Sequence, residues 1–147
     1  MKKLLFILIL VLTLTACNET PDELVQTPVS AEDEIVFVYF WATWCGPCVN
    51  SLPGLADVVR EYGDRVSFIG LLHDFDTNLE GAMNLLNDVG MPEGFKTVDA
   101  NEQSARHLME AVNTGFLPSS VIIRNGEAYK ATTGTADNVR LLNEIFN

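Results

Sequence analysis

The chain has 147 residues, 48% of them hydrophobic and 20% charged, with 10 Gly and 6 Pro, which is enough for about one globular domain and too little for two full cores. The apolar content excludes intrinsic disorder, and the lack of a Gly-X-Y period, of heptads and of a solenoid-length repeat excludes collagen, coiled coils and repeat arrays. Nine Lys+Arg against 20 Asp+Glu, a formal charge of −11, repel a phosphate backbone and argue against nucleic acid as a partner.

Met1-Lys2-Lys3 is a short basic stretch ahead of the apolar run Leu4–Leu14, eleven residues broken only by Thr13. A helix that spans a membrane needs about 20 apolar residues, so this run fits the hydrophobic region of a secretory signal with the lysines on the cytoplasmic side. The residues that follow, Leu14-Thr15-Ala16-Cys17, resemble the lipobox of bacterial lipoproteins at all four positions. That resemblance implies a diacylglyceryl group on Cys17, cleavage before it, and attachment to the membrane by acyl chains alone. Losing Lys2 and Lys3 with residues 1–16 takes the charge from −11 to −13, so no polybasic patch assists the anchor. An exported chain with three cysteines leaves one unpaired, and lipid on Cys17 leaves Cys45 and Cys48 as the two thiols.

Residues 17–34 are polar and acidic, with Pro21 and Pro28, and read as a flexible tether between lipid and domain. Residues 35–147 are the domain. Ile35–Trp41 is an almost unbroken β-branched and aromatic run, expected of a strand buried on both faces, and Phe37, Tyr39, Phe40 and Trp41 read as core. Val49, Leu52, Leu55, Ala56, Val59 and Tyr62 recur at helical spacing after Cys45, Gly63 ends the pattern, and Pro53 predicts a kink. Val66–Leu72 is a second buried strand, completing a right-handed βαβ unit.

A helix is predicted over Thr77–Val89 with Thr77 as its cap, a short strand over Phe95–Val98, and a helix over Glu102–Val112. Ser119–Arg124 and Glu127–Thr133 flank Asn125-Gly126, the strongest short hairpin signal. A last helix over Asp137–Phe146 buries Val139, Leu142 and Ile145. A parallel pair and an antiparallel hairpin thus share one central mixed β-sheet flanked by α-helices, an α/β fold.

Trp44-Cys45-Gly46-Pro47-Cys48 falls where the first strand ends and a helix begins, where unpaired N–H groups and the helix dipole favour an anion. Cys45 is expected to be the exposed nucleophile, its pKa lowered from about 8.5 towards 7, with Cys48 one turn on as the resolving thiol. Pro47 near the first turn removes no intrahelical hydrogen bond. Thr114-Gly115-Phe116-Leu117-Pro118-Ser119 places a proline directly before a buried strand. It is a candidate cis peptide that leaves the Leu117 backbone to pair with an extended substrate. Trp44 and Phe116 are candidates for exposed contacts. A purely structural disulfide is the rival reading of Cys45 and Cys48, but so short a loop closes little chain and gains little entropy. Zinc needs two further ligands, and His73 and His107 are scattered, so no metal is expected. His107 reads as a solvated helix residue, and His73-Asp74-Phe75-Asp76 as a loop at the carboxyl end of a strand.

The residues Phe40-Trp-Ala-Thr-Trp-Cys-Gly-Pro-Cys48, Pro53, Gly115-Phe-Leu-Pro118 and the terminal hairpin and helix resemble the thioredoxin superfamily. Within it they are similar to the tethered extracytoplasmic TlpA-type thiol-disulfide oxidoreductases, over about residues 35–147. The resemblance implies a thioredoxin fold, with Cys45 as attacking thiolate, Cys48 as resolving thiol, Pro118 as the cis-proline, and Trp44, Phe116 and Leu117 as substrate contacts. Gly46, Pro47 and Tyr39 would tune the redox chemistry. Residues 74–97 look like the family's helical insertion before the cis-proline strand.

Two departures stand out. Thioredoxins carry a buried Asp six residues before the first cysteine, where this chain has Tyr39, a poor base with a pKa of about 10. Some tethered relatives carry a Glu three residues after the second cysteine, where this chain has Ser51. The proton acceptor for Cys48 is then water, His73 or Asp74. The short segment before Ile35 also predicts a trimmed amino-terminal edge.

The expected function is a lipid-anchored reductase of the bacterial cell envelope. It would act on disulfide-containing exported proteins as a monomer, with no cofactor beyond the dithiol and a membrane electron donor to restore it. Gly-Pro between the cysteines resembles reducing thioredoxins, whose potentials lie near about −270 mV. An oxidant on the same fold and a non-catalytic peptide-binding module are the alternatives.

Overall fold

The computed structural model describes residues 34–111, 115–134 and 138–146. The signal segment, Cys17, the tether up to residue 33 and the trimmed edge expected there lie outside them, as do Val112 and Thr114. The described elements are β1 (Ile35–Trp41), α1 (Gly46–Tyr62), β2 (Ser67–Leu72), α2 (Phe75–Asp88), β3 (Phe95–Asp99), α3 (Gln103–Ala111), β4 (Ser119–Arg124), β5 (Glu127–Thr133) and α4 (Asn138–Phe146). They form a thioredoxin fold around one five-stranded sheet of order β3-β2-β1-β4-β5.

β1 lies in the middle, parallel to β2 from Val36↔Ser67 to Trp41↔Leu72 and antiparallel to β4 from Ile35↔Arg124 to Phe40↔Ser119. Neighbours on both edges and helices on both faces explain why its sequence is apolar without alternation. Its odd-numbered residues Phe37, Tyr39 and Trp41 pack with Leu52, Leu55 and Val59 of α1 and Leu142 of α4. Its even-numbered residues Val38 and Phe40 pack on the opposite face with Leu71, Val121 and Ala105 of α3. The two-residue period of the strand thus divides the core between two helical layers.

β3 continues the parallel run on β2, from Phe68↔Phe95 to Leu72↔Asp99. β4 and β5 form the predicted hairpin, with Asn125 at φ 52° and Gly126 at φ 84°, the left-handed pair that a two-residue turn of this type requires. Gly70 of β2 has a different role. A Cβ there would come within 2.5 Å of the Phe95 ring and 3.1 Å of Trp41 Nε1, so the bare backbone lets two aromatic side chains cross the sheet. Gly70→Ala is expected to destabilise the fold by about 1–3 kcal/mol in denaturant titration, through overpacking.

Two expectations shift. α2 starts at Phe75 and not at Thr77, with Asp74 in the N-cap position, and Asn78 interrupts it at φ −149°, ψ 33°. Thr77 caps nothing: its hydroxyl donates back to the Asp74 carbonyl at 3.3 Å. α1 runs as a single helix through Pro53, whose missing N–H falls on an exposed part of the chain. At its far end Arg60 reaches the Gly90 carbonyl at 2.7 Å, fastening the loop after α2 to α1. Tyr62 stacks on Phe146 of α4 with ring centroids 5.5 Å apart. No helix among the described residues is long and apolar enough to cross a membrane.

Candidate active site

The carboxyl end of β1 leads into a turn, Ala42 to Cys45, closed by the Cys45 N–H on the Ala42 carbonyl at 3.2 Å. Cys45 is the N-cap of α1 at φ −84°, ψ 96°, and Cys48 follows in the first turn. The two sulfurs are bonded, with Cα atoms 5.2 Å apart. The Cys45 sulfur also accepts the Cys48 N–H at 3.3 Å, so one of the unpaired donors at the helix start points at it. Pro47 stands in the first turn, where no intrahelical bond is lost, and Gly46 beside it faces open space.

The expected exposure of Cys45 is corrected. It is 6% exposed and Cys48 is wholly buried, because both belong to the larger core cluster at the end of β1 and the start of α1. What stands in solvent is the rim: Trp44 at 70% and Phe116 at 76%.

Antiparallel pairing of Phe40 with Ser119 brings Leu117 and Pro118 alongside the end of β1, next to the turn that carries Cys45. The Leu117–Pro118 peptide bond is cis. The Ser119 hydroxyl donates to the Phe116 carbonyl and the Gly134 N–H donates to the Pro118 carbonyl at 2.7 Å, fixing both sides of this segment. Leu117 packs against both core clusters. One sheet end therefore gathers Trp44, Cys45, Cys48, Phe116, Leu117 and Pro118 from distant stretches of sequence.

The two departures from the thioredoxin pattern meet each other beneath Cys48. The Tyr39 hydroxyl lies 2.7 Å from Ser51 Oγ, and the two oxygens lie 3.2 Å and 2.9 Å from the Cys48 carbonyl, so two hydroxyl protons are divided among three contacts. Both positions that hold a carboxylate in relatives thus hold a neutral hydroxyl, and both serve backbone oxygen and not sulfur. Burial pushes the Tyr39 pKa up to about 12, with the Ser51 hydrogen bond acting the other way. The folded value exceeds the unfolded value of about 10, so the stability tied to the protonated phenol is complete below about pH 10 and is lost as pH rises through about 12. Spectrophotometric titration should show a phenolate step near pH 12 that vanishes in Tyr39→Phe.

Of the other acceptors considered for Cys48, Asp74 directs both carboxylate oxygens to Thr43. His73 is half-buried with its pKa lowered by burial, against the pull of Asp74, and its Nε2 has no hydrogen-bond partner. His107 lies exposed on α3. Among the described residues no three His, Cys, Asp or Glu side chains converge where a metal ion could bind. Asn78, and the tie of Thr43 to Asp74, do not stand out in the sequence. The available signal was a hydroxyl two residues before Cys45 and an Asp two residues after β2.

The thioredoxin family profile matches residues 16–93, more than half of the chain and including both cysteines. The chain belongs to the thioredoxin family. With Cys45 and Cys48 joined at a helix start, this thioredoxin-family protein is a thiol-disulfide oxidoreductase. It is 28% identical over 124 residues to a thioredoxin of Mycolicibacterium smegmatis, covering 84% of this chain and 87% of that one.

Its fold is shared with a putative thiol:disulfide interchange protein DsbE from Chlorobium tepidum, at 22% identity and a TM-score of 0.59, covering 76% of this chain and 77% of that one. It is shared equally with a secreted Mycobacterium tuberculosis disulfide oxidoreductase homologous to E. coli DsbE, at 16% identity and a TM-score of 0.58, covering 76% and 80%.

Proposed function

We propose that this thioredoxin-family protein is a TlpA-type, lipid-anchored reductase that works outside the cytoplasmic membrane on disulfides of exported proteins. The observation that carries the reading is the Cys45–Cys48 pair at the start of α1, with the Cys48 N–H on the Cys45 sulfur and the exposed rim of Trp44 and Phe116 around it. The signal-like segment before Cys17 and the secreted and interchange proteins that share the fold support the location.

In the reduced protein, the Cys45 thiolate attacks one sulfur of the target disulfide and expels the other as a thiolate, leaving a mixed disulfide. Its charge is stabilised by the Cys48 N–H and the helix start. Cys48 then loses its proton to water and attacks the Cys45 sulfur, releasing the second target thiolate and closing Cys45–Cys48. The target gains two electrons and two protons, and a membrane electron donor returns two electrons, with two protons from solvent, to the enzyme. Leu117 and Pro118 hold an extended target backbone while Trp44 and Phe116 contact its side chains. Gly46 and Pro47 set the helix start on which the thiolate depends. The protein works as a monomer, with no cofactor beyond its dithiol and no metal.

Equilibration with thiol-disulfide buffers tests the direction. A reduction potential below about −230 mV supports a reductase, and one above about −180 mV makes the protein an oxidant. Mass spectrometry of membrane-extracted protein should find diacylglyceryl-modified Cys17 at the amino terminus, and an unmodified residue ahead of Cys17 would refute the anchor.

A further inference from the structure

Cys45 owes its position to the turn from Ala42, and the second residue of that turn, Thr43, is held at three points from outside it. Asp74 Oδ1 accepts the Thr43 N–H at 3.1 Å, Asp74 Oδ2 accepts the Thr43 hydroxyl, and Asn78 Nδ2 donates to Thr43 Oγ1 at 2.7 Å. The hydroxyl gives its one proton to the carboxylate and takes one from the amide, so the chain of donors runs in a single direction.

Both partners leave the ordinary duties of a helix start. An Asp at the N-cap usually accepts an N–H of the first turn, yet Asp74 makes no side-chain cap bond to α2. Asn78 breaks the helical path of α2, and its amide lies over Gly81, where a Cβ would come within 2.4 Å of the Asn78 oxygen. The same three side chains therefore join the insertion to the loop that carries the nucleophile.

We propose that Asp74 and Asn78 are positioning residues that clamp Thr43 and so hold the Cys45 sulfur against the Cys48 N–H, making the insertion part of the machinery that activates Cys45. The proposal rests on the reading of Cys45 as the attacking thiolate. The titratable groups of the elements around the clamp and Cys45 are His73 and Asp74 after β2 and Asp76, Glu80 and Asp88 of α2; β1, β2, α2 and residues 116–118 carry no Lys or Arg, and the charged groups of α1, Asp57, Arg60 and Glu61, lie in its far half. No neighbouring cation on these elements can replace the N–H contact, so the orientation of the turn decides how far the thiolate is favoured.

The full chain, reduced, is treated with iodoacetamide, whose CH₂ carbon the thiolate attacks as iodide leaves, and alkylation at Cys45 is followed by peptide mass from about pH 5 to about pH 10. Thr43→Val removes the hydroxyl. Asp74→Asn sets an NH₂ against the amide of Asn78 across that hydroxyl. Thr43→Ser keeps the network.

The expected result is alkylation about three- to tenfold slower at pH 7 in Thr43→Val and Asp74→Asn, with the profile displaced to higher pH and the alkaline plateau unchanged. Thr43→Ser should superimpose on the wild type. Profiles of Thr43→Val and Asp74→Asn that match the wild type, whatever their thermal stability, overturn the clamp, as does a loss equal at every pH. A wild-type midpoint at or above the ordinary cysteine value of about 8.5 refutes instead the activated-thiolate reading, and the clamp with it, before any variant is compared.

Discussion

Reduced Cys48→Ser, mixed with a disulfide-bearing protein, is expected to halt at a covalent adduct through Cys45, with turnover reduced by about a thousandfold or more. Removing the second thiol leaves the first exchange intact, since the Cys45 thiolate still expels one target sulfur, but nothing then attacks the mixed disulfide from within. Ser51 and the Tyr39 hydroxyl lie beside the Cys48 carbonyl and cannot supply a replacement nucleophile at neutral pH. Cys45→Ser should abolish both turnover and adduct. Non-reducing electrophoresis with peptide mass mapping checks both variants. An adduct mapped to Cys48 in the Cys45→Ser variant would reverse the roles assigned to the two thiols, and full binding function without either thiol would favour a peptide-binding module.

Tyr39→Asp should lower stability by about 3–5 kcal/mol in denaturant titration, even though it restores the residue type found at this position in thioredoxins. The ring is only 1% exposed and fills the core between the sheet and α1. An aspartate would leave that volume empty and face the Cys48 carbonyl with a second oxygen. Tyr39→Phe keeps the volume, and Ser51 still donates to the Cys48 carbonyl. It should cost about 1 kcal/mol and leave turnover within about twofold. A large loss of activity in Tyr39→Phe would show that the phenol takes part in proton transfer and does more than pack.

The architecture was legible where local chemistry and tertiary environment agree. Ile35–Trp41 reads as a central strand because both faces and both edges of it are covered, and Asn125-Gly126 reads as a hairpin because its two left-handed residues are a local requirement. The start of α2 departs from its local sequence signal for a non-local reason. Asp74 is a normal helix cap by residue type, but its carboxylate serves Thr43, 31 residues away, and the break at Asn78 follows from the same tie. The cysteine motif was legible from residue type and its place between strand and helix. Its burial was not, because it depends on how β1, α1 and the rest of the core cluster pack together around the two cysteines. Likewise Tyr39 and Ser51 each stand out as a departure, while their hydrogen bond to one another exists only once β1 and α1 are packed together.

The segment from Asp74 to Gly90 is fastened at both margins, by Asp74 to Thr43 at its entry and by Arg60 to the Gly90 carbonyl at its exit. Thr43 and Arg60 both lie outside that segment. A cassette of residues 74–91 grafted into another scaffold of this fold would arrive with its docking points missing unless a threonine before the first cysteine and an arginine late in the following helix travelled with it. The transplantable unit is therefore discontinuous in sequence, and a graft of residues 74–91 alone would be misaligned.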